Sequence, residues 1–361
     1  MAEKNTAAKR IIFTGGGTAG HVTPNIALME PLLKEGWDVH YIGSESGMEK
    51  GLIAGIANVA YHGISTGKLR RYFSWQNFVD PFRVIKGYFQ ARKLIRTIQP
   101  DVIFSKGGFV SVPVVLAAGK VPVVAHESDY SPGLSNRIAM RFTDQVCLSF
   151  EDTLTHIPAG KGFFTGTPIR PALYDGSREQ ALAFTGFSGE KPVLLVMGGS
   201  LGAQKLNELV REALPLLCER YDIIHLCGKG KHDCGCAACG YIQYEYITTE
   251  LPDLFALSDV VLSRAGANSV FELLALNKPS VLVPLTSAST RGDQLLNARY
   301  MEKKGYAKVV DQNTATPESM VAAVDEVYSQ RADYAERMCD DTRSDGTEAI
   351  LAIIKKAAMN G

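Results

Sequence analysis

Between Phe13 and Pro24 the chain reads FTGGGTAGHVTP. Gly15, Gly17 and Gly20 follow an apolar strand with G-x-G-x-x-G spacing, a pattern that lets backbone amides close on a phosphate at a helix start. Glu45, after the next apolar run, stands where the ribose-binding acid of a dinucleotide fold would lie. His21 points to other chemistry, because an imidazole titrates near neutral pH and moves protons. Thr23 is a natural N-cap and Pro24 a natural first helical residue, so the helix is expected to begin late and leave His21 on the turn. A dinucleotide cradle starts its helix on the glycines themselves. The structural alternative is a tight turn that simply needs glycine.

A second glycine turn, MGGSLGAQ (197–204), sets Ser200 and several backbone amides at a helix start. That is an anion site, to which the helix dipole adds roughly 0.3–1 kcal/mol per charge. Further on, SRAGANSVFELL (263–274) predicts a strand ending at Leu262, a loop of small residues and a helix with Glu272 in its first turns. A carboxylate at such a corner can take both hydroxyls of a ribose; the plainer role is to complement the helix dipole. Gln294 and Asn297 lie one helical turn apart on one face, which alone reads as a solvated pair. His232, Cys234, Cys236 and Cys239 crowd KHDCGCAACG (231–240), and thiolates and imidazole are zinc ligands. The spacing is not a double C-x-x-C knuckle, so a reduced, exposed loop with less than stoichiometric zinc is expected.

These groups need a scaffold, and the chain is long enough to supply two. It has 361 residues, 46% hydrophobic, so two domains with sizeable cores are expected. Zero formal net charge gives no general affinity for nucleic acid. The start MAEKNTAAKR is no signal peptide. VSVPVVLAAGKVPVVA, broken by Pro113, Lys120 and Pro122, reads as two buried strands around a short helix, not a membrane span. The protein is therefore expected in the cytosol or at a membrane surface. Seven cysteines, an odd number, imply no disulfide framework there. Short apolar runs (RIIFT, DVHYIG, DVIFS, VPVVAH, QVCLSF, then PVLLVMGGS, DIIHLCG, YEYI, DVVLSRAG, PSVLVPL) alternate with helical patterns, which implies parallel α/β structure. TGTPIRPALYDG suits a hinge between the two series. IIFTGGGTAGHVTPNIAL and VLLVMGGSLGAQKLNELV repeat one strand–turn–helix plan, so two doubly wound domains facing across a cleft are expected.

TGGGTAGHVTP, KGGFVSVP, HESDYSPGLSNR, GTPIRP, MGGSLGAQKLN and SRAGANSVFELLALNKPSVLVP…RGDQLLNA follow in that order over nearly the whole chain. The set resembles the MurG family of bacterial peptidoglycan glycosyltransferases. The resemblance implies a GT-B architecture of two Rossmann-like domains. Residues 1–165 would face the acceptor and membrane, 166–343 would bind the UDP-sugar, and 344–361 would form a helix crossing back. It implies inverting transfer of N-acetylglucosamine from UDP-N-acetylglucosamine to the C4 hydroxyl of undecaprenyl-diphospho-N-acetylmuramoyl-pentapeptide, lipid I to lipid II. It places Thr18, Ala19 and Gly20 by the sugar and diphosphate, and Arg170 and Ser200 on the diphosphate. Ile247 would lie by the uracil; Ala267, Asn268, Ser269, Val270, Phe271 and Glu272 would form the nucleoside corner, with Glu272 on the ribose. Gln294 would reach the sugar, and His21 and Asn136 would face the acceptor, His21 as leading candidate for the base.

Some positions depart from the family pattern. Asp129 stands where Asn is frequent, Phe109 replaces Tyr, Asp293 replaces a second Gln, and the cysteine segment matches no family feature. No D-x-D, the usual metal-holding motif of sugar transferases, occurs in the chain, so a mechanism without a cofactor or metal is expected. The expected partners are the two substrates, an anionic inner-membrane surface on the cytoplasmic side and other cell-wall synthesis proteins. From Thr66 to Arg96 eight Lys or Arg, one Asp and seven aromatics suit the membrane contact. A glycolipid glycosyltransferase, a UDP-N-acetylglucosamine 2-epimerase and a non-catalytic sugar-nucleotide module are the alternatives; an epimerase would turn over without lipid.

Overall fold

A computed structural model describes residues 8–67, 76–199, 202–286, 292–341 and 343–360. They form two compact units, Met1–Arg170 with Asp345–Gly361, and Pro171–Ser344. The chain thus leaves the first unit after Arg170, five residues beyond the boundary expected from the sequence.

The first unit holds seven strands: β1 (Arg10–Thr14), β2 (Asp38–Ser44), β3 (Val59–Ile64), β4 (Val102–Ser105), β5 (Val123–Glu127), β6 (Gln145–Leu148) and β7 (Gly162–Phe164). Their order is β3-β2-β1-β4-β5-β6-β7, and each neighbouring pair is parallel. Both faces are covered, so the central strands are apolar throughout. Ile11, Phe13, Tyr41 and Phe104 pack on one face with Leu28 and Leu32 of the helix Thr23–Lys34 and Ile350 and Ile354 of the helix Thr347–Asn360. Ile12, Ile42 and Ile103 point to the other face, against Ala91, Ile95 and Val114. The two-residue period of a strand makes that division.

The second unit repeats the plan with β8 (Val193–Met197), β9 (Asp222–Leu226), β10 (Tyr241–Tyr244), β11 (Val260–Ser263), β12 (Ser280–Leu282) and β13 (Ala307–Val309). Its order is β10-β9-β8-β11-β12-β13, again parallel between neighbours. The helix Gln204–Leu217 covers this sheet with Leu206, Val210, Ala213, Leu214 and Leu217, one stripe at helical spacing.

Several local expectations are corrected. VSVPVV is no strand: Ser111–Ala117 is a helix, and only Val123–Glu127 is extended. Gly107 and Gly108, both at positive φ, turn the chain out of β4, and the Ser111 hydroxyl donates to the Gly108 carbonyl at 2.9 Å. Pro113 falls in the first helical turn, where a missing N–H costs nothing, and burial of Val114 and Val115 overrides their strand preference. In YEYI only Tyr244 is extended, because β10 ends there. Thr23 is not the N-cap. It is the first helical residue, its hydroxyl donates to the Ala19 carbonyl at 2.7 Å, and a 3₁₀ turn, Ala19–His21, precedes it.

Candidate functional site

In an open parallel sheet, ligands bind beyond the carboxyl ends of the strands where the strand order reverses. In the first unit that point lies between β1 and β4. The loops leaving these strands are Gly15–Gly17 and Lys106–Gly108, and they touch. A Cβ on Gly108, at φ +80°, would strike the Gly16 carbonyl and reach within 3.4 Å of His21 Nδ1. A Cβ on Gly17, at φ +87°, would strike the Phe109 ring. The glycines therefore first serve the packing of one turn on the other.

His21 ends the 3₁₀ turn, half-exposed, with its amide donating to the Thr18 carbonyl at 3.1 Å. Its Nδ1 lies 2.8 Å from Thr18 Oγ1. When Nδ1–H donates to that hydroxyl, Nε2 carries the lone pair and can accept a proton. Beneath the turn Glu49 is fully buried, and its carboxylate accepts from the Ser44 amide at 2.9 Å and the Ser44 hydroxyl at 2.6 Å. The Gly17 amide approaches its other oxygen at 3.5 Å. Glu45, the ribose acid of a dinucleotide fold, instead accepts a long bond from Gln90 Nε2 at 3.4 Å.

Next to the switch point lies a buried polar cluster. Lys106, 1% exposed, donates from Nζ to His126 Nδ1 at 2.8 Å and to the Ser128 hydroxyl. His126 Nε2 contacts the Gly166 carbonyl at 3.0 Å, so the ring proton sits on Nε2 and Nδ1 accepts from the ammonium. Burial pushes His126 well down and Lys106 down to about 8, the latter against the pull of Glu127 and Asp129. Glu127 accepts from the amides of Asp129 and Gly133, each at 3.0 Å, and from Asn136 Nδ2 at 2.8 Å. Burial, and then Asp129, raise its carboxyl. Asn136, expected to face an acceptor, is 4% exposed and spends its amide on Glu127. Sequence reasoning does not single out Glu49, Lys106 or His126. For Lys106 and His126 the available signal was a lysine or histidine at the end of a mostly apolar run.

In the second unit the strand order reverses between β8 and β11. Ser200 lies outside the described residues; around it Gly199 has φ +81° and the Gly202 amide donates to the Gly199 carbonyl at 2.8 Å. Below this turn buried Asn207 donates to the Cys227 carbonyl at 2.7 Å and accepts from His225 Nε2 at 3.1 Å. Burial lowers His225 to about 3, so its ring is neutral.

After β11 the helix Ala267–Ala275 divides the expected nucleoside corner. Ala267, Val270 and Phe271 are buried, while Asn268, Ser269 and Glu272 are half-exposed. Glu272 sits in the second helical turn and not at the dipole end. Gln294 accepts from the Leu285 amide at 2.9 Å through its side-chain oxygen. Asn297 is not solvated: fully buried, it donates to the Ala265 carbonyl at 3.2 Å and braces the loop before that helix. Ile247 is 8% exposed beyond β10, and Arg170 is half-buried at the end of the first unit's main segment. Among the described residues no three His, Cys, Asp or Glu side chains converge as metal ligands.

Two family models match, the glycosyltransferase family 28 N-terminal domain over residues 11–148 and the C-terminal domain over residues 193–350. The UDP-N-acetylglucosamine–N-acetylmuramyl-(pentapeptide) pyrophosphoryl-undecaprenol N-acetylglucosamine transferase of Geobacillus thermodenitrificans is 51% identical over 353 residues, 97% of this chain and 99% of its own. Its namesake from Lachnoclostridium phytofermentans is 50% identical over 354 residues, 97% and 99% of the two chains. Among solved structures, Acinetobacter baumannii MurG superposes with a TM-score of 0.75 at 26% identity, covering 96% of this chain and 99% of that one. A UDP-GlcNAc 2-epimerase from Neisseria meningitidis shares the fold, at 12% identity and a TM-score of 0.64 over 98% and 100% of the two chains.

The buried lysine makes a prediction that needs no substrate. Its folded value of about 8 lies below the ordinary 10.5, so between these the unfolded chain binds a proton the folded unit has released. Lys106 therefore adds stability as pH rises through that window. Comparing denaturant midpoints of native and Lys106→Met protein at pH 8 and pH 10 tests this. The difference should move in favour of the native chain at pH 10; a constant difference contradicts it.

Proposed function

Because the chain belongs to glycosyltransferase family 28, with both family domains matched in order, we propose that it transfers N-acetylglucosamine from UDP-N-acetylglucosamine to the C4 hydroxyl of undecaprenyl-diphospho-N-acetylmuramoyl-pentapeptide, with inversion. The observation that carries this reading is about 50% identity over 97% of the chain to transferases bearing that name. It is a hexosyltransferase of peptidoglycan synthesis.

In this reading His21 is the base. Its Nε2 takes the acceptor proton while Thr18 Oγ1 holds Nδ1–H, a contact that supports the required tautomer. The second unit holds the donor. Glu272 accepts from the ribose hydroxyls, the Gln294 NH₂ donates to the sugar, and Ile247 lies by the uracil. Arg170, Ser200 and the amino end of Gln204–Leu217 meet the charge of the departing diphosphate. The chain has no D-x-D, so these groups act in place of a bound cation.

The acceptor tail requires approach to a bilayer, and the helix Gln76–Ile98 suits it. Phe82, Ile85 and Phe89 are 72%, 54% and 64% exposed at i, i+3 and i+7, one face of that helix. Arg83, Lys86, Arg92, Lys93 and Arg96 accompany them; residues 68–75 of the same basic, aromatic segment lie outside the described part. Each basic side chain near an anionic leaflet is worth about 1 kcal/mol. No helix among the described residues is long and apolar enough to cross a membrane; the contact proposed is peripheral, on the cytoplasmic face.

Incubating the purified protein with both substrates and analysing products by mass spectrometry tests the activity. Disaccharide-lipid should form, also in EDTA; UDP release without lipid, or loss in EDTA reversed by magnesium, contradicts the reading. His21→Ala should lower kcat at least ~100-fold with UDP affinity within about threefold, whereas Glu272→Ala should weaken UDP binding about tenfold or more. The opposite partition would exchange their roles. Sedimentation with vesicles should show binding to anionic lipid at low salt that Phe82→Ser with Phe89→Ser reduces. Equal partition into neutral vesicles would remove the electrostatic part.

A further inference from the structure

The connection from β9 to β10, residues 227–240, contains neither helix nor strand. Parallel neighbours usually need a helical crossover, and structureless connections of this length are uncommon and frequently functional. This one is held in place. Arg211 Nη2 donates to the Lys231 carbonyl at 2.7 Å and to Gln243 Oε1 at 2.9 Å, and Gln243 Nε2 donates to the carbonyls of Asp233 and Cys236 at 3.0 and 3.2 Å. Two tight turns project from it, closed by Cys236 N to Asp233 O at 3.1 Å and by Tyr241 N to Ala238 O at 3.2 Å. Cys234 lies within the first turn and Cys239 within the second, and both are exposed. Cys236, between them, is half-buried with both backbone groups bonded.

Cys234 Sγ lies 3.6 Å from His232 Nδ1. That sets an imidazole beside an exposed thiol, the kind of surroundings in which reactive cysteines occur. Among the described residues Cys236 has no such neighbour, and burial raises its thiol. Cys218, at the end of the helix Gln204–Leu217, is close enough to Cys236 and Cys239 to feel their charges, so these three thiols share a corner. Cys339 is exposed in a different helix, Arg331–Cys339, and serves as a comparison.

We propose that the 231–240 loop is a peroxide-oxidisable thiol site in which Cys234 is oxidised first and Cys239 resolves it into an intraloop disulfide. Cys234 Sγ attacks one oxygen of the peroxide, the O–O bond breaks, and sulfenic acid and water form. Cys239 Sγ then attacks the Cys234 sulfur, the S–O bond breaks, and the hydroxyl leaves with the second thiol proton as a second water. Two thiols are oxidised and one peroxide is reduced to two waters.

Stoichiometric hydrogen peroxide, alkylation of the remaining thiols and tryptic mapping test this on the full chain. Cys234, Cys236 and Cys239 fall in one peptide between Lys231 and Arg264, whereas Cys218 falls in another. The peptide should appear lighter by the two thiol hydrogens with only Cys236 alkylated. Cys234→Ser should slow thiol loss in this peptide at least about tenfold. In Cys239→Ser the Cys234 sulfenic acid should persist and be captured by a 1,3-diketone, and Cys236→Ser should still form the disulfide. A Cys236–Cys239 or Cys218–Cys239 bond, or oxidation no faster than at Cys339, overturns the proposal. So does one zinc per chain retained through untagged purification, with the thiols protected from peroxide.

Discussion

Two backbone loops meet where the first sheet changes direction, and nothing larger than hydrogen fits between them. Gly108 abuts the Gly16 carbonyl, and Gly17 lies under the Phe109 ring. Because β1 and β4 are hydrogen-bonded neighbours, the turns that leave them have no room to diverge. The same contact puts the ring of His21 beside Gly108. A half-exposed imidazole on a short 3₁₀ turn would otherwise be free to wander. Here it is set by Thr18 on one side and the second turn on the other.

Both units support a glycine turn with buried polar side chains. In the first, Glu49 bonds Ser44 and approaches Gly17, and the Lys106, His126 and Glu127 cluster fastens the end of β4 to the loop after β5. In the second, Asn207 links the helix after the turn to Cys227, and Asn297 braces the loop before Ala267. Leaving one such group unpaired costs about 1–3 kcal/mol, and more when it is charged. That penalty favours a single arrangement of each loop, as a site of fixed geometry requires.

Much of this was legible in the sequence, for a physical reason. Strands buried on both faces must be apolar throughout, so RIIFT, DVIFS and PVLLVM declare themselves, and glycine clusters directly after them mark the turns. Ser111–Ala117 misled because its valines are there for burial, and burial suits a helix as well as a strand. Half-buried β3 and the three-residue strands β7 and β13 carry too little pattern to be found. Polar residues were the least legible. Asn297 reads as a solvated side chain in sequence and is a buried brace in the fold, Asn136 is buried against Glu127, and Glu49 and Lys106, which nothing in the sequence singles out, are interior. Their roles depend on which loops the strand order brings together, which local spacing does not encode.

The Gly16–Gly108 contact is the most direct place to test the account. Gly108→Ala leaves every proposed donor group intact, strains its own backbone at φ +80° and pushes on the turn that carries His21. Displacement of about 1 Å at a reacting centre costs on the order of 100-fold in rate. Transfer kcat should therefore fall about 100-fold while UDP affinity, by calorimetry, stays within about threefold. A folded Gly108→Ala protein with native kcat would contradict the claim that this contact positions the base.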